Sequence, residues 1–165
     1  SRDKGVLIQS LCKVGHENIL LYIAAEDLFE SQLFFATRNG FVKQVSGVSF
    51  DTNRSVIAST KLDEGDSIVN IVPLSVMEVI NPDQKVILIT KKGLSLGFPL
   101  YEVSELKKAS RGIKGITLDD DDTVLYAAVA APDCEKLALG QHSYDPRKIR
   151  TRKRAAKGQK AKIEI

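Results

Sequence analysis

The sequence predicts an all-β chain, a propeller-like array of about three repeats with four short strands each. Three recurrences carry that expectation. The first is a hairpin, FFATRNGFVKQV over Phe34 to Val45 and ILITKKGLSLGF over Ile87 to Phe98. Each copy runs from apolar residues into a threonine (Thr37, Thr90), then two polar or basic residues, then a glycine (Gly40, Gly93), the two copies lying 53 residues apart. Asn-Gly supplies the positive φ that tight hairpin turns need, so Asn39-Gly40 marks a turn strongly, and Lys92-Gly93 keeps only the glycine. The second recurrence is the run ILLYI (Ile19 to Ile23), SIVNI (Ser67 to Ile71) and TVLYA (Thr123 to Ala127), spaced by 48 and 56 residues. Each run is followed by an apolar strand: Leu33 to Phe35, Val86 to Ile89 and Leu137 to Leu139. The third is an acidic turn before a β-branched strand, KLDEGDSIV at Lys61 to Val69 and TLDDDDTVL at Thr117 to Leu125. Periods near these lengths belong to arrays in which each repeat supplies one small sheet and buries it against its neighbours.

Taken in order, Asn18 to Phe29 has some helical spacing at Ile19, Tyr22, Ile23 and Leu28, but the repeat favours a strand over Ile19 to Ile23. The first hairpin follows, then the loop SGVSFDTNRS, the acidic turn and the strand of SIVNI. The second hairpin leads into Pro99 to Gly115, where YEVSELKK has short helical spacing before a basic, glycine-bearing exit. In the acidic turns, Asp and Gly supply turn geometry and the carboxylates accept from nearby amides. Asp119 to Asp122 lack the alternating ligands and distant Glu of a calcium loop, so they read as a solvated turn. One domain is expected over residues 1–165, its repeats covering roughly 18–74, 75–130 and 131–165, with the N-terminal segment completing a blade.

With 165 residues, 43% apolar and 27% charged, the chain has the composition of an ordinary globular domain that needs no disulfide to bury a core. Cys12 and Cys134 have no metal-type spacing and read as free thiols of a reducing cytoplasm. No apolar run reaches the roughly 20 residues of a membrane helix. No leader peptide is visible, and the start Ser-Arg-Asp-Lys-Gly, without Met, is expected to be a cut inside a longer protein. The net charge of +3 conceals an asymmetry: Pro146 to Ile165 holds nine Lys or Arg and one Glu, whereas the preceding residues are net acidic. A basic end on a mildly acidic body points to a polyanionic partner.

Enzyme signatures are absent. His16 and His142 have no carboxylate or cysteine at metal spacing, and no nucleophile elbow, P-loop or zinc-protease motif occurs. No catalytic residue, metal site or cofactor is expected. The basic stretches carry more. KIRTRKRAAKGQKAK (Lys148 to Lys162) alternates cations with small and polar residues, and ASRGIKG (Ala109 to Gly115) matches its middle, with Arg111, Lys114 and Gly115 laid over Arg154, Lys157 and Gly158. Two cations on a tight loop beside a glycine let the backbone approach a phosphate, a contact that positions DNA without reading its sequence.

Together these pieces resemble the C-terminal domain of the A subunit of bacterial type IIA topoisomerases, DNA gyrase and topoisomerase IV. The family's tandem pattern, an apolar strand, T, basic, x, G, x, x, K, followed by R-x-x-x-G, an apolar residue, L and an acidic turn, reads here as FFATRNGFVK with LDEGDSIV and VILITKKG with SRGIKGITLDDDDTVL. The resemblance implies a β-pinwheel of four-stranded blades with strand exchange between neighbours, and a basic outer rim that binds and bends or wraps duplex DNA. The family disc has five or six blades, so a chain of about three repeats is a partial or short disc. The gyrase heptad QRRGGKG has its nearest counterparts in RKRAAKG (Arg152 to Gly158), where Ala155 and Ala156 replace the paired glycines, and in ASRGIKG. The resemblance also implies two protein partners, the remainder of the same polypeptide and the ATPase B subunit. It implies a cytoplasmic, nucleoid-associated location and no catalytic tyrosine within this chain. The expected DNA rim comprises Lys43, Arg54, Lys91, Lys92, Lys107, Lys108, Arg111, Lys114, Arg150, Arg152, Lys153, Arg154 and Lys157. The competing readings are a propeller-type protein-interaction module with a basic tail and, more remotely, an enzyme with a site assembled from loops.

Overall fold

The computed structural model describes residues 19–160. Ten strands fall into two four-stranded sheets and one two-stranded sheet. Blade 1 contains β1 (Gln32–Thr37), β2 (Phe41–Ser46), β3 (Ile68–Leu74) and β6 (Ile113–Lys114) in the order β3-β1-β2-β6. Blade 2 contains β4 (Lys85–Thr90), β5 (Leu94–Pro99), β7 (Val124–Ala130) and β10 (Gln159–Lys160) in the order β7-β4-β5-β10. The third unit is the hairpin β8 (Leu137–Leu139) and β9 (His142–Tyr144). All of these pairings are antiparallel.

The order of the strands shows the exchange directly. The outermost strand of blade 1, β6, follows the hairpin of blade 2 in the chain, and the outermost strand of blade 2, β10, follows the β8–β9 hairpin. Each exchanged segment begins as a parallel bridge and ends as an antiparallel strand. Glu105 bridges Gln44 and Thr151 bridges Gly97, before β6 and β10 close on β2 and β5.

The recurring threonine and glycine have separate physical roles. Gly40 and Gly93 adopt φ of 86° and 78°, where a side chain is strained, and each N–H returns to the threonine carbonyl at 3.0 Å. The threonine hydroxyls accept the amides of Phe41 and Leu94 at 3.2 Å, which closes the turn from its other side. The acidic turns pin the same tips. Asp66 accepts from the amides of Asn39 and Ser67, and Asp122 accepts from those of Lys92 and Thr123. The expected carboxylate-to-amide bonding of these turns is therefore present in both repeats.

Alternate residues on each strand send apolar side chains to opposite faces, so the blades stack. Phe34, Ala36 and Val42 of blade 1 meet Val86, Leu88, Leu96 and Phe98 of blade 2 in one buried cluster. Ile87 and Ile89 on the far face of blade 2 pack with Leu139 and Ile149. Leu33, Phe35 and Val45 on the far face of blade 1 are covered by Leu21, Leu28 and Phe50. The strands β3 and β7 converge, with the Asn70 side-chain amide donating to the Ala127 carbonyl at 2.8 Å. That edge is the inner one, and β6 and β10 form the opposite edge, the rim.

Three expectations are corrected. Ile19 to Ile23 form no strand; the chain there has no regular secondary structure and leads into helix α1 (Ala25–Glu30). Residues 101–108 form no helix beyond the single 3-10 turn Leu100–Glu102. This stretch is drawn along β2 by the Gln44 amide, which donates to Ser104, and the Gln44 carbonyl, which accepts from Leu106. A helix also forms where none was expected, α2 (Val76–Ile80). Its signal is a capping box, in which Ser75 accepts from the Glu78 amide and Glu78 accepts from the Ser75 amide. Cys12, His16 and the N-terminal segment expected to complete a blade lie outside the described residues.

Candidate nucleic-acid interface

The rim is built from the two exchanged segments, residues 104–114 beside β2 and 150–160 beside β5. Register decides which of their cations correspond. Lys114 opposes Phe41 and Lys160 opposes Leu94, and Phe41 and Leu94 each follow the turn glycine by one residue. Lys114 is thus the counterpart of Lys160, and Arg111 that of Lys157. This corrects the overlay of Arg111 and Lys114 on Arg154 and Lys157 by three residues. Glycine misleads the overlay: Gly115 resembles Gly158, but Gly112 is the residue in the matching place. A Cβ at Gly112 would meet the Val42 carbonyl at 2.8 Å, and one at Gly158 would meet Leu94 Cβ at 2.9 Å, so each glycine lies close against its hairpin strand.

The thirteen expected contacts divide by environment. Arg54, Lys91, Lys107, Lys114, Arg150, Arg152 and Lys153 are exposed and form no ion pair among the described residues. Lys92, Arg111 and Lys157 are also exposed but pair with Asp121, Asp63 and Asp119 respectively. Arg111 additionally lies over the Phe41 ring at 4.3 Å. Lys108 is half-buried with its ammonium over Phe50 at 5.5 Å.

Two of the thirteen serve the scaffold. Lys43 is 1% exposed and its ammonium donates to the carbonyls of Ser59, Lys108 and Ser110 at 3.2, 2.8 and 2.8 Å. Burial pushes its pKa down to about 8. A group held this way fastens the rim segment to β2 and is withdrawn from any ligand on the surface. Arg154 is half-buried; its guanidinium donates to the carbonyls of Glu102 and Lys114, and its amide to the Glu102 carboxylate. It latches the second rim segment to the first, helped by Thr117, which donates through its amide to Ala156 and through its hydroxyl to Ala155.

Two cations outside the expected set join this surface, Lys148 and Lys160. With Arg150 and Arg152 they line one cleft of about 300 Å³, together with Ser95, Tyr144 and Gln159. Arg150, Arg152 and Lys153 line an adjoining one with Gln159. Lys160 repeats Lys114 once the register is known, whereas Lys148 carries no repeat signal. Among the described residues no group of His, Cys, Asp and Glu gathers as a metal site would require, and no helix is long and apolar enough to cross a membrane.

Residues 31–75 and 84–131 match the family model described as "DNA gyrase C-terminal domain, beta-propeller". The A subunit of DNA gyrase from Helicobacter pylori is 36% identical over 124 residues, 73% of this chain and 14% of that protein. The chain belongs to the family of DNA gyrase C-terminal domains. It is also similar to the A subunit of DNA topoisomerase 4 from Staphylococcus epidermidis, 27% identical over 75% of this chain and 15% of that protein. The chain thus spans about one seventh of the curated relatives it matches. The crystal structure of the C-terminal domain of DNA topoisomerase IV superposes with a TM-score of 0.72 at 19% identity, covering 96% of this chain and 50% of that one. A DNA gyrase A C-terminal domain superposes with a TM-score of 0.67 at 18% identity, covering 96% and 53%. The sequence matches identify the family, and the superpositions identify the fold.

Proposed function

We propose that this domain binds duplex DNA through its phosphate backbone, without reading sequence, and bends or wraps it along the rim. It would do so as the accessory C-terminal domain of the A subunit of an ATP-dependent type IIA topoisomerase. One observation carries the reading. The exchanged segments place Lys107, Lys114, Arg150, Arg152, Lys153 and Lys160 on the outer edges of successive blades, all exposed and without an acidic partner among the described residues. The acidic turns neutralise Lys92 and, on the rim segments themselves, Arg111 and Lys157, and these six cations remain uncompensated where a long polyanion could lie. Backbone phosphates suit such a row, because charge contacts set position and orientation and are indifferent to base identity. In this role the domain does no chemistry. It presents a DNA segment to the rest of its own polypeptide and to the B subunit for strand passage, in the bacterial cytoplasm at the nucleoid.

A salt titration with random-sequence duplex tests this. Each phosphate neutralised contributes about −0.9 to the slope of log affinity against log salt, so the six rim cations predict a slope of roughly −5 that is the same for unrelated sequences. Absence of binding at low salt, or a slope near zero, would sink the proposal.

A further inference from the structure

The two acidic turns divide their carboxylates alike. Aligned on the strands they precede, Asp63 corresponds to Asp119, Glu64 to Asp120, Gly65 to Asp121 and Asp66 to Asp122. Asp66 and Asp122 face the hairpin tips and accept their amides. Asp63 and Asp119 reach instead to the rim, pairing with Arg111 and Lys157, each at 2.8 Å. Arg111 and Lys157 are counterparts in their turn, since each stands three residues before the lysine that opposes Phe41 or Leu94. One ion pair thus recurs in successive blades between the same two positions, although its cation changes from Arg to Lys. Lys92 with Asp121 has no such counterpart, because Asn39 and Gly65 occupy the matching places.

Neither turn depends on this pair. The amide of Asp66 closes the first turn on the Asp63 carbonyl and the amide of Asp122 closes the second on the Asp119 carbonyl, both at 3.0 Å. The rim segments are tied down separately, by Lys43, Arg154 and their strand pairing. The side chains of Arg111 and Asp63 keep 46% and 41% exposure, those of Lys157 and Asp119 59% and 47%, and ion pairs so open to water add little to stability. What each carboxylate does occupy is the charge-assisted bond of a rim cation, the one a phosphate oxygen would otherwise accept. Nor does Arg111 need Asp63 for its orientation, as its guanidinium lies over the Phe41 ring at 4.3 Å. We infer that Asp63 and Asp119 are internal competitors of DNA. In the free domain each holds one rim cation, and a duplex gains the contacts at Arg111 and Lys157 only by displacing the carboxylates. The inference rests on the DNA reading above and adds regulation to it. The six uncompensated cations engage any duplex on the rim, and the two paired ones engage only a phosphate close enough to win the exchange.

Salt titrations of random-sequence duplex against the parent and matched variants test this. The pair variant carries Asp63→Asn with Asp119→Asn, which keeps side-chain size and the backbone bonds of both turns. The control carries Glu64→Gln with Asp120→Asn, the exposed neighbours in the same turns, which form no ion pair among the described residues. It reports the general effect of removing two negative charges near the DNA. Beyond that control, the pair variant should bind roughly two- to fivefold more tightly per pair, the factor by which an exposed ion pair holds its cation. Its salt slope should steepen by about 1 per freed cation. In an Arg111→Gln background, Asp63→Asn should do no more than Glu64→Gln, because the cation it frees is gone. A pair variant that matches the control, one that binds more weakly than the parent, or a gain from Asp63→Asn that survives Arg111→Gln would each overturn the inference and leave the DNA reading standing. A parent that binds no duplex at low salt would overturn both.

Discussion

Lys114 and Lys160 hold the same register position on the outer strands of successive blades, one opposite Phe41 and the other opposite Leu94. Both are exposed and neither has an ion-pair partner among the described residues. Equivalent placement predicts equivalent effect. Lys114→Glu and Lys160→Glu should each weaken duplex binding uniformly across sequences and reduce the magnitude of the salt slope by about 1, with thermal stability unchanged. A filter-binding or anisotropy titration at several salt concentrations reads both quantities.

Lys43 should behave in the opposite way. Lys43→Met removes the ammonium from three part-buried carbonyls, of which that of Ser110 keeps the Lys61 amide, so a loss of about 2–4 kcal/mol in urea unfolding is expected, with the DNA salt slope of the folded fraction unaltered.

The same residue predicts a pH dependence. The unfolded chain keeps the Lys43 proton up to the ordinary value of 10.5, whereas the folded chain releases it near 8. Between those values the unfolded state binds more protons, so the contribution of Lys43 to stability rises with pH across that window. The stability difference between the parent and Lys43→Met should therefore widen from pH 8 towards 10.5, a comparison in which the other lysines cancel. A constant gap would contradict the assignment.

Ala155 has φ of 63°, the one non-glycine with positive φ among the described residues. The gyrase heptad has glycine there, and Ala155→Gly should stabilise the domain by roughly 0.5–1 kcal/mol by relieving the left-handed strain. Ala156 also replaces a heptad glycine but packs against the main core, so Ala156→Gly should cost about 0.5–1 kcal/mol. Chemical denaturation of the two variants separates the roles of two adjacent alanines.

Hairpins are the legible part of this fold because their determinants are local. Thr37, Gly40, Thr90 and Gly93 act within a few residues of themselves, and Asp66 and Asp122 bind the tips in the same way in both repeats. The strand expected at Ile19 to Ile23 finds no paired edge among the described residues, which the pattern of ILLYI does not reveal. The rim is legible as charge and illegible as geometry. Composition locates the basic segments, but only β-ladder register shows that Lys160 belongs with Lys114. Only burial shows that Lys43 and Arg154 hold the scaffold together. Alternation along β2 places Lys43 on the same face as Val45, an apolar neighbour that warns of a buried ammonium.

On the proposed path, DNA follows the rim rather than merely touching it. The most direct test is the ligation of nicked circular DNA in the presence of increasing amounts of the domain, followed by removal of protein and measurement of linking number. A curved path along successive blades predicts a topoisomer distribution displaced in proportion to bound protein. The displacement should disappear at high salt and in the variant with Arg150, Arg152, Lys153 and Lys160 all changed to Glu. An unchanged distribution at saturating, salt-sensitive binding would contradict it.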